Sequence, residues 1–328
     1  LKSLELKPDN PTAHMNLGMI HESANNKELA LESYMQSEKL DTTEDQGRSL
    51  TSLLASSTIL IQLGRIEESQ EKLKSANKIA NHKPLKLKNC NNKNKKHDIA
   101  YLLYLNILYP EIPKDVEKIA HESLHIGESH CLTFTNQIVC INNIPSRIKP
   151  SLIKGAKAFH LGGNEKTNKF KCALEKRIEN GLEKYNHIML SFGEIDCRKE
   201  EGIIEYCQKY GHDIKTVSRD TAANYIKWTT EKLAEHKHKL IFLGTPAPIK
   251  LTNSYGTNSE REEETRLLTI KTFNTTLSEE CAKRKIPFAN TFDLTSDEAG
   301  FNNNQWMIDK VHLMPKTIHQ LIEFHLSR

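Results

Sequence analysis

Ser123-Leu-His-Ile-Gly-Glu-Ser-His130 is the stretch on which the fold turns. Leu124 to Ile126 is short and mostly apolar, it stops at Gly127, and a serine follows two residues later. The pattern predicts a buried strand that ends in a tight turn and places the Ser129 hydroxyl at the strand's C-terminal edge. In an open α/β sheet that edge is where ligands bind. A strand-then-turn serine is also one way to present a nucleophile. Because Gly-x-Ser occurs in ordinary turns too, the meaning of Ser129 depends on the strands around it.

Four more apolar runs follow, at Ala156–Leu161, His187–Phe192, Leu240–Leu243 and Pro287–Asn290. Helical patterns precede the later ones, over Lys169–Lys184, Arg219–His236 and Arg261–Lys285, and Lys316–Leu326 reads as a closing helix. Strand–helix alternation of this kind implies parallel strands joined by right-handed crossovers. The expected fold class is α/β: a three-layer α/β/α sandwich, flavodoxin-like, around a five-stranded parallel sheet. The ends of parallel strands share one edge. Ser129, Gly162-Gly163-Asn164, Gly193-Glu-Ile-Asp-Cys-Arg198, Gly244-Thr-Pro246 and the later Asp309-Lys-Val-His312 are therefore expected to converge.

Nucleophilic acyl transfer is the chemistry such an edge supports. A serine hydroxyl is a poor nucleophile until a base takes its proton, and His312 is the candidate base. Asp309, three residues earlier, is placed to orient the imidazole. Backbone N–H groups at Gly127 to Ser129 and at Gly162 are candidate donors to an oxyanion. Each element also has a purely structural reading. Asp309 would cap the final helix, His312 would be a packed core histidine, Gly162-Gly163 a turn, and Glu194, Asp196 and Arg198 an ion pair ordering their loop.

Taken together, these residues make the segment 120–328 similar to the SGNH/GDSL hydrolase superfamily. The resemblance rests on Ile126-Gly-Glu-Ser-His130 for the family's Gly-Asp-Ser block, the glycine after the second run, Gly193–Asp196, and Asp309–His312. It implies Ser129 as nucleophile, His312 as general base and Asp309 as its orienter. Gly162, Gly163, Gly193, Glu194, Asp196 and Arg198 would contribute to the oxyanion or substrate site, with no cofactor and no metal. Two residues depart from the pattern: Glu128 stands for the usual Asp, and Ile195 stands where an asparagine normally donates to the oxyanion. Losing one such donor typically costs about a hundredfold in rate.

Upstream, residues 1–80 show helical spacing. Leu17-Gly18, Ala30 and Tyr34 in one segment find counterparts in Leu63-Gly64 and Ala76 of the next. The segments resemble tetratricopeptide repeats, with His14 and Thr42 departing from the pattern. Such helix pairs stack because none buries its apolar face alone, and the resemblance implies a protein partner or self-association. From Lys72 to His97 there are nine Lys and no Asp or Glu. The segment 81–98 reads as a solvated Lys/Asn-rich linker, without the interleaved aromatics a nucleic-acid surface needs. The helix Ile99–Tyr109 is assigned to the second domain, giving boundaries of 1–80, 81–98 and 99–328.

Composition narrows the class further. A net charge of +4 over 328 residues does not by itself point to nucleic acid or a membrane surface. No apolar run approaches the roughly 20 residues of a bilayer span. The opening Leu1-Lys2-Ser3-Leu4-Glu5 does not read as a secretory leader. Seven cysteines without a Cys-x-x-Cys pattern argue against a disulfide framework or a structural zinc site, and so for a reducing, cytoplasmic setting. The functional expectation is a serine-dependent esterase or acyltransferase acting on an acylated polar small molecule or glycan, a sugar O-acyl ester among them. The alternative is an inactive domain of this type in a repeat-based adaptor.

Overall fold

The structure is a computed structural model describing residues 2–41, 47–82, 93–114, 119–165, 167–179, 182–250 and 257–326. The chain forms two compact units, Leu1–Lys114 and Asp115–Arg328.

The first unit is helical: α1 (Lys2–Leu6), α2 (Pro11–Ser23), α3 (Lys27–Leu40), α4 (Gly47–Leu63), α5 (Ile66–His82) and α6 (Lys93–Leu108). Asn10 caps α2 by accepting from the Ala13 N–H at 3.2 Å, and Pro11 occupies the first turn, where a missing N–H costs nothing. Gly18 of α2 lies beneath the Tyr34 ring of α3, and Ala30, Leu31 and Tyr34 pack with Ala55, Ile59 and Leu60 of α4. The helix α6, expected in the second domain, belongs here. Leu102, Leu105 and Leu108 recur every three residues and are buried, Asn106 and Asn77 exchange hydrogen bonds at 2.8 and 2.9 Å, and Thr51 donates to Asp98. The boundary therefore falls at Lys114. Residues 93–98 of the expected linker are helical, and 83–92 lie outside the described residues.

In the second unit the order is β1 (His121–Gly127), α7 (His130–Thr133), β2 (Ile138–Ile141), β3 (Ile144–Leu152), α8 (Ala158–Gly162), α9 (Lys169–Glu179), β4 (Tyr185–Ser191), α10 (Ile203–Tyr210), α11 (Ile214–Lys232), β5 (Leu240–Leu243), α12 (Thr257–Arg284), β6 (Phe288–Ala289), α13 (Thr291–Thr295) and α14 (Thr317–Leu326). The six strands lie in the order β2-β3-β1-β4-β5-β6, all parallel except β2, which runs antiparallel to β3. Side chains alternate across the sheet. Leu124, Ile126, Ile188, Leu190, Leu240 and Phe242 face the core shared with α8 to α12. Ile148, Met189, Ile241 and Leu243 face the core shared with α14. Both faces are covered, so the central strands read as continuous apolar runs.

Two sequence expectations fail together. Among the described residues the sheet has six strands, five of them parallel and β2 added antiparallel at the edge, and Ala156–Leu161 is not one of them: most of it forms α8. A short apolar run does not reveal its own period, and here the Ala158 and Phe159 N–H groups are capped by the Asp196 carboxylate at 2.8 and 3.0 Å. The true neighbour of β1 is β3, which Pro145 and Pro150 disguise. The Ile153 N–H points to β1, meeting the Gly127 carbonyl at 2.8 Å, and the Ile148 N–H points the other way, to Gln137 at 2.9 Å. By this parity Pro145 faces β1 one residue before pairing begins, and Pro150 faces away from it beyond the end of β2. Neither removes a ladder bond.

Gly162 is where α8 meets α11. A Cβ there would lie 2.6 Å from the Tyr225 backbone nitrogen and 2.7 Å from the Asn224 carbonyl carbon, and backbone atoms do not swing aside. Gly162→Ala is expected to destabilise the second unit by about 1–3 kcal/mol, read as a lower urea midpoint at unchanged slope.

Candidate active site

The site begins at the turn after β1. Ser129 takes ordinary helical angles, φ −53° and ψ −28°, at the N-cap of α7. A serine there usually caps its helix, but this hydroxyl makes no capping bond. Its Oγ lies 2.9 Å from Nε2 of His312 and 2.8 Å from Oε2 of Glu128.

His312 reaches the serine from a doubled-back loop. Met307 bridges Leu313, and the Ile308 and Met314 N–H groups bond to the carbonyls of His312 and Trp306 at 2.9 and 2.8 Å. Within it, Oδ1 of Asp309 accepts the N–H groups of Val311 and His312, both at 2.6 Å, and Oδ2 lies 2.8 Å from Nδ1 of His312. Burial pushes the Asp309 carboxyl up, but the His312 hydrogen bond and charge and the two N–H donors outweigh it and hold the group at about 2. An ionised Asp309 keeps the imidazole proton on Nδ1 and leaves Nε2 as an acceptor facing Ser129. Asp309 therefore caps no helix, and His312, though buried, is not simply packed core.

The turn after β4 supplies the next layer. Glu194 is buried, and Oε2 accepts from Nε and Nη2 of Arg198 at 2.8 and 2.6 Å, while Arg266 of α12 stands 3.9 Å from Oε1. Burial opposes ionisation of Glu194, but the Arg198 guanidinium overcomes it and holds the carboxyl below its ordinary value. Glu194 also approaches Glu128 and His130; one potential ligand atom from each of the three lies within 4.8 Å of the others. With Arg198 on Glu194, that carboxylate's charge is met inside the protein. His130 is buried, its ring centroid 5.0 Å from that of His312, and desolvation lowers its proton affinity despite the two nearby carboxylates.

A cavity of about 20 Å³, room for one water, is lined by His125, Glu128, His130, Ser191, Glu194 and Thr245 among others. A larger cleft of about 260 Å³ opens beside Glu194 and Val311, with Arg198, Arg266, Pro248 and Phe301 on its walls.

Ser129, Asp309, His312, Glu194 and Arg198 thus gather at one edge, and Gly193, at φ +130°, starts the Glu194 turn. Others lie elsewhere. Gly162 ends α8 against α11 and Gly163 follows it, so neither stands at a strand end. Asp196 is fully buried and spends both oxygens on α8, with burial, against those two N–H donors, pushing it up to about 6. The backbone that does follow β1's neighbour is Ile153–Ala156, where Gly155 takes φ +71°. Reasoning from sequence passed over this glycine because it passed over β3, and it passed over His130 and Arg266. His130 was signalled only by adjacency to Ser129, and Arg266 by nothing local.

No family model matches the chain, and no curated protein matches it. Among solved structures it is similar to a putative platelet activating factor from Streptococcus pneumonia (18% identity, covering 69% of this chain and 95% of that one, TM-score 0.41). It is also similar to a GDSL-like lipase from Bacteroides thetaiotaomicron (14%, 68% and 95%, 0.39) and to phospholipase A1 from Streptomyces albidoflavus (10%, 62% and 99%, 0.39). At these scores the similarities carry nothing about residues or substrate.

The depressed Asp309 carboxyl contributes stability that is complete above its ordinary value of 3.8 and is lost as pH falls toward about 2. Asp309→Asn is expected to be less stable than the parent chain by about 2 kcal/mol at neutral pH, with the gap closing below about pH 4, as followed by urea unfolding across pH.

Proposed function

We propose that the chain is a serine-dependent esterase or acyltransferase of the SGNH type, with Ser129 as nucleophile, His312 as general base and Asp309 as its orienter. The observation that carries this reading is the unbroken hydrogen-bonded line Asp309–His312–Ser129, 2.8 and 2.9 Å per link, at the C-terminal edge of a mostly parallel sheet. Oγ attacks the ester carbonyl as Nε2 takes its proton, and Asp309 stabilises the resulting imidazolium. The tetrahedral intermediate collapses, the C–O bond to the alcohol breaks, and the leaving oxygen takes the proton from Nε2. Water or an acceptor hydroxyl then attacks the acyl-serine by the same route in reverse.

Backbone N–H groups at Ser129 and at Gly155, in the segment after β3, are the proposed oxyanion donors, in place of Gly162 and of the side-chain donor that Ile195 lacks. The substrate is an acylated polar molecule, a sugar or glycan O-acyl ester in particular. Its support is the adjacent cleft, where Arg198, Lys199, Glu262 and Arg266 surround a few apolar side chains. The helices of the first unit, read as tetratricopeptide-like repeats, would supply a protein partner or a self-association surface. Among the described residues no helix is long and apolar enough to cross a membrane, and no disulfide joins the cysteines. A cytoplasmic setting is part of the proposal.

A second reading, a catalytically inactive domain in a repeat-based adaptor, is favoured by one observation: Ile195 is buried and apolar where a donor would serve. The two readings separate on short acyl esters. The purified chain is expected to hydrolyse them and to be labelled at Ser129 by a fluorophosphonate, and Ser129→Ala to lose at least about a thousandfold in kcat. Equal rates for the two proteins would remove Ser129 from the mechanism, and absence of labelling would favour the adaptor.

A further inference from the structure

The Ser129 hydroxyl has one proton to give, and among the described residues Glu128 and His312 both stand ready to accept it. Oε2 of Glu128 stands at 2.8 Å and Nε2 of His312 at 2.9 Å. We propose that Glu128 is a second proton acceptor for the Ser129 hydroxyl and that its competition with His312 sets the pH above which the serine can act. The inference rests on the reading of Ser129 as nucleophile and His312 as base, and adds the residue that opposes them.

Asp309 keeps the Nδ1 proton in place, so a neutral His312 offers Nε2 only as an acceptor. With His312 neutral, the Ser129 O–H must point to Nε2. Pointing it to Glu128 would leave the lone pairs of Nε2 and Oγ facing each other at 2.9 Å. With His312 protonated at Nε2 the pattern reverses: Nε2–H donates to Oγ, and the Ser129 O–H turns to Oε2 of Glu128. The second arrangement holds exactly one more proton, and no lone pair on Nε2 remains to take the serine's proton as Oγ attacks. The carboxylate favours this idle arrangement twice, by accepting the hydroxyl and by standing as a negative charge near the imidazolium.

Glu128 has reason to hold the hydroxyl. It is only 2% exposed, and a buried carboxylate is costly unless donors surround it. Among the described residues its donors are the Ser129 hydroxyl and the His130 backbone N–H, the latter at a long 3.4 Å. Oε1 faces Nε2 of His130 at 3.9 Å, beyond hydrogen-bonding range, and that buried ring nitrogen has no hydrogen-bond partner among the described residues. Among the described residues the Ser129 hydroxyl is thus the nearest donor to Glu128. Aspartate in its place would fall short by about one C–C bond, roughly 1.5 Å, and would keep its charge while losing the contact.

The charged groups around the pair are few and placed. Asp309 lies on the loop of His312 itself, Glu128 comes from the turn between β1 and α7, His130 from the start of α7, and Glu194 and Arg198 from the turn after β4. Arg198 also interacts electrostatically with Glu128. Exchanging Glu128 for an uncharged residue leaves the others in place, so a shift in the titration of the pair reports on Glu128.

Two measurements test the proposal on the full chain and on Glu128→Gln and Glu128→Asp. The first is the pH–rate profile for hydrolysis of a short acyl ester. The acid limb is expected to move down by about one unit in Glu128→Gln, a tenfold change in proton affinity, and by less in Glu128→Asp. The second is the midpoint of His312 ring protonation, followed by ¹⁵N NMR of histidine-labelled protein, which needs no turnover and is expected to fall in the same order. A limb and a midpoint that stay put in both variants overturn the proposal. A chain that hydrolyses no ester would end the catalytic reading, and the NMR midpoints would then decide the competition by themselves. A Glu128→Gln chain that does not fold leaves the decision to Glu128→Asp, whose unchanged midpoint would refute it.

Discussion

The contact between Oγ of Ser129 and Nε2 of His312 joins residues 183 positions apart. Nothing local to either residue creates it. The serine is placed by the end of β1, and β1 is held between β3 and β4. The histidine is placed by a loop that is itself fixed against the sheet through Leu313. Closing a span of that length is entropically expensive, and the interval between the two residues includes every strand of the sheet but the first. The hydrogen bond is therefore a property of the completed sheet, and the site exists only in the folded second unit.

That sheet carries an unusual interior along its first strand. On one side of β1, Leu124 and Ile126 join the apolar core. Ser123 and His125, on the other side, are fully buried but polar. Ser123 lies 3.3 Å from His187, His125 lies 2.8 Å from Ser191, and the His125 ring stacks on Phe134. Desolvation pushes His125 down to about 3, so it enters the core as a neutral ring. Buried polar groups are usually paired; here Nε2 of His125 is, while its Nδ1 has no hydrogen-bond partner among the described residues. The pairing ties β1 to β4, and His125 and Ser191 themselves line the cavity. Glu194 with Arg198 and Asp196 with the first turn of α8 extend the same principle to the rim, where each carboxylate is taken up by donors from a specific element.

Two neighbouring acids on the turn after β4 show how similar residues come to differ. Asp196 takes its hydrogen bonds from the Ala158 and Phe159 backbone N–H groups and is driven up to about 6 by burial. Glu194 is as deeply placed but faces a guanidinium and stays ionised. The sequence Glu194-Ile-Asp-Cys-Arg198 presents them as one charged loop. In the structure one acid supports a helix and the other approaches Glu128 and His130.

Much of the second unit was legible in the residues alone. Ser129, Asp309 and His312 were picked out because nucleophile, base and carboxylate are chemically distinctive types at strand ends and in a short Asp-x-x-His turn. Apolar runs at 187–192 and 240–243 are strands because buried parallel strands need continuous apolar residues, and the amphipathic stretches between them are helices. What sequence could not settle were features decided by partners distant in the chain. Ala156–Leu161 became a helix because Asp196 caps it, and Ile144–Leu152 became a strand because its prolines fall where no neighbour asks for an N–H. The helix after the lysine-rich stretch joined the first unit because α4 and α5 offered its apolar face a match. Oε2 of Glu128 came within hydrogen-bonding distance of the serine hydroxyl because the folded turn after β1 buries both side chains. Composition and periodicity fix which residues seek burial and which carry chemistry; which of them meet depends on contacts across the sheet that only the whole fold brings about.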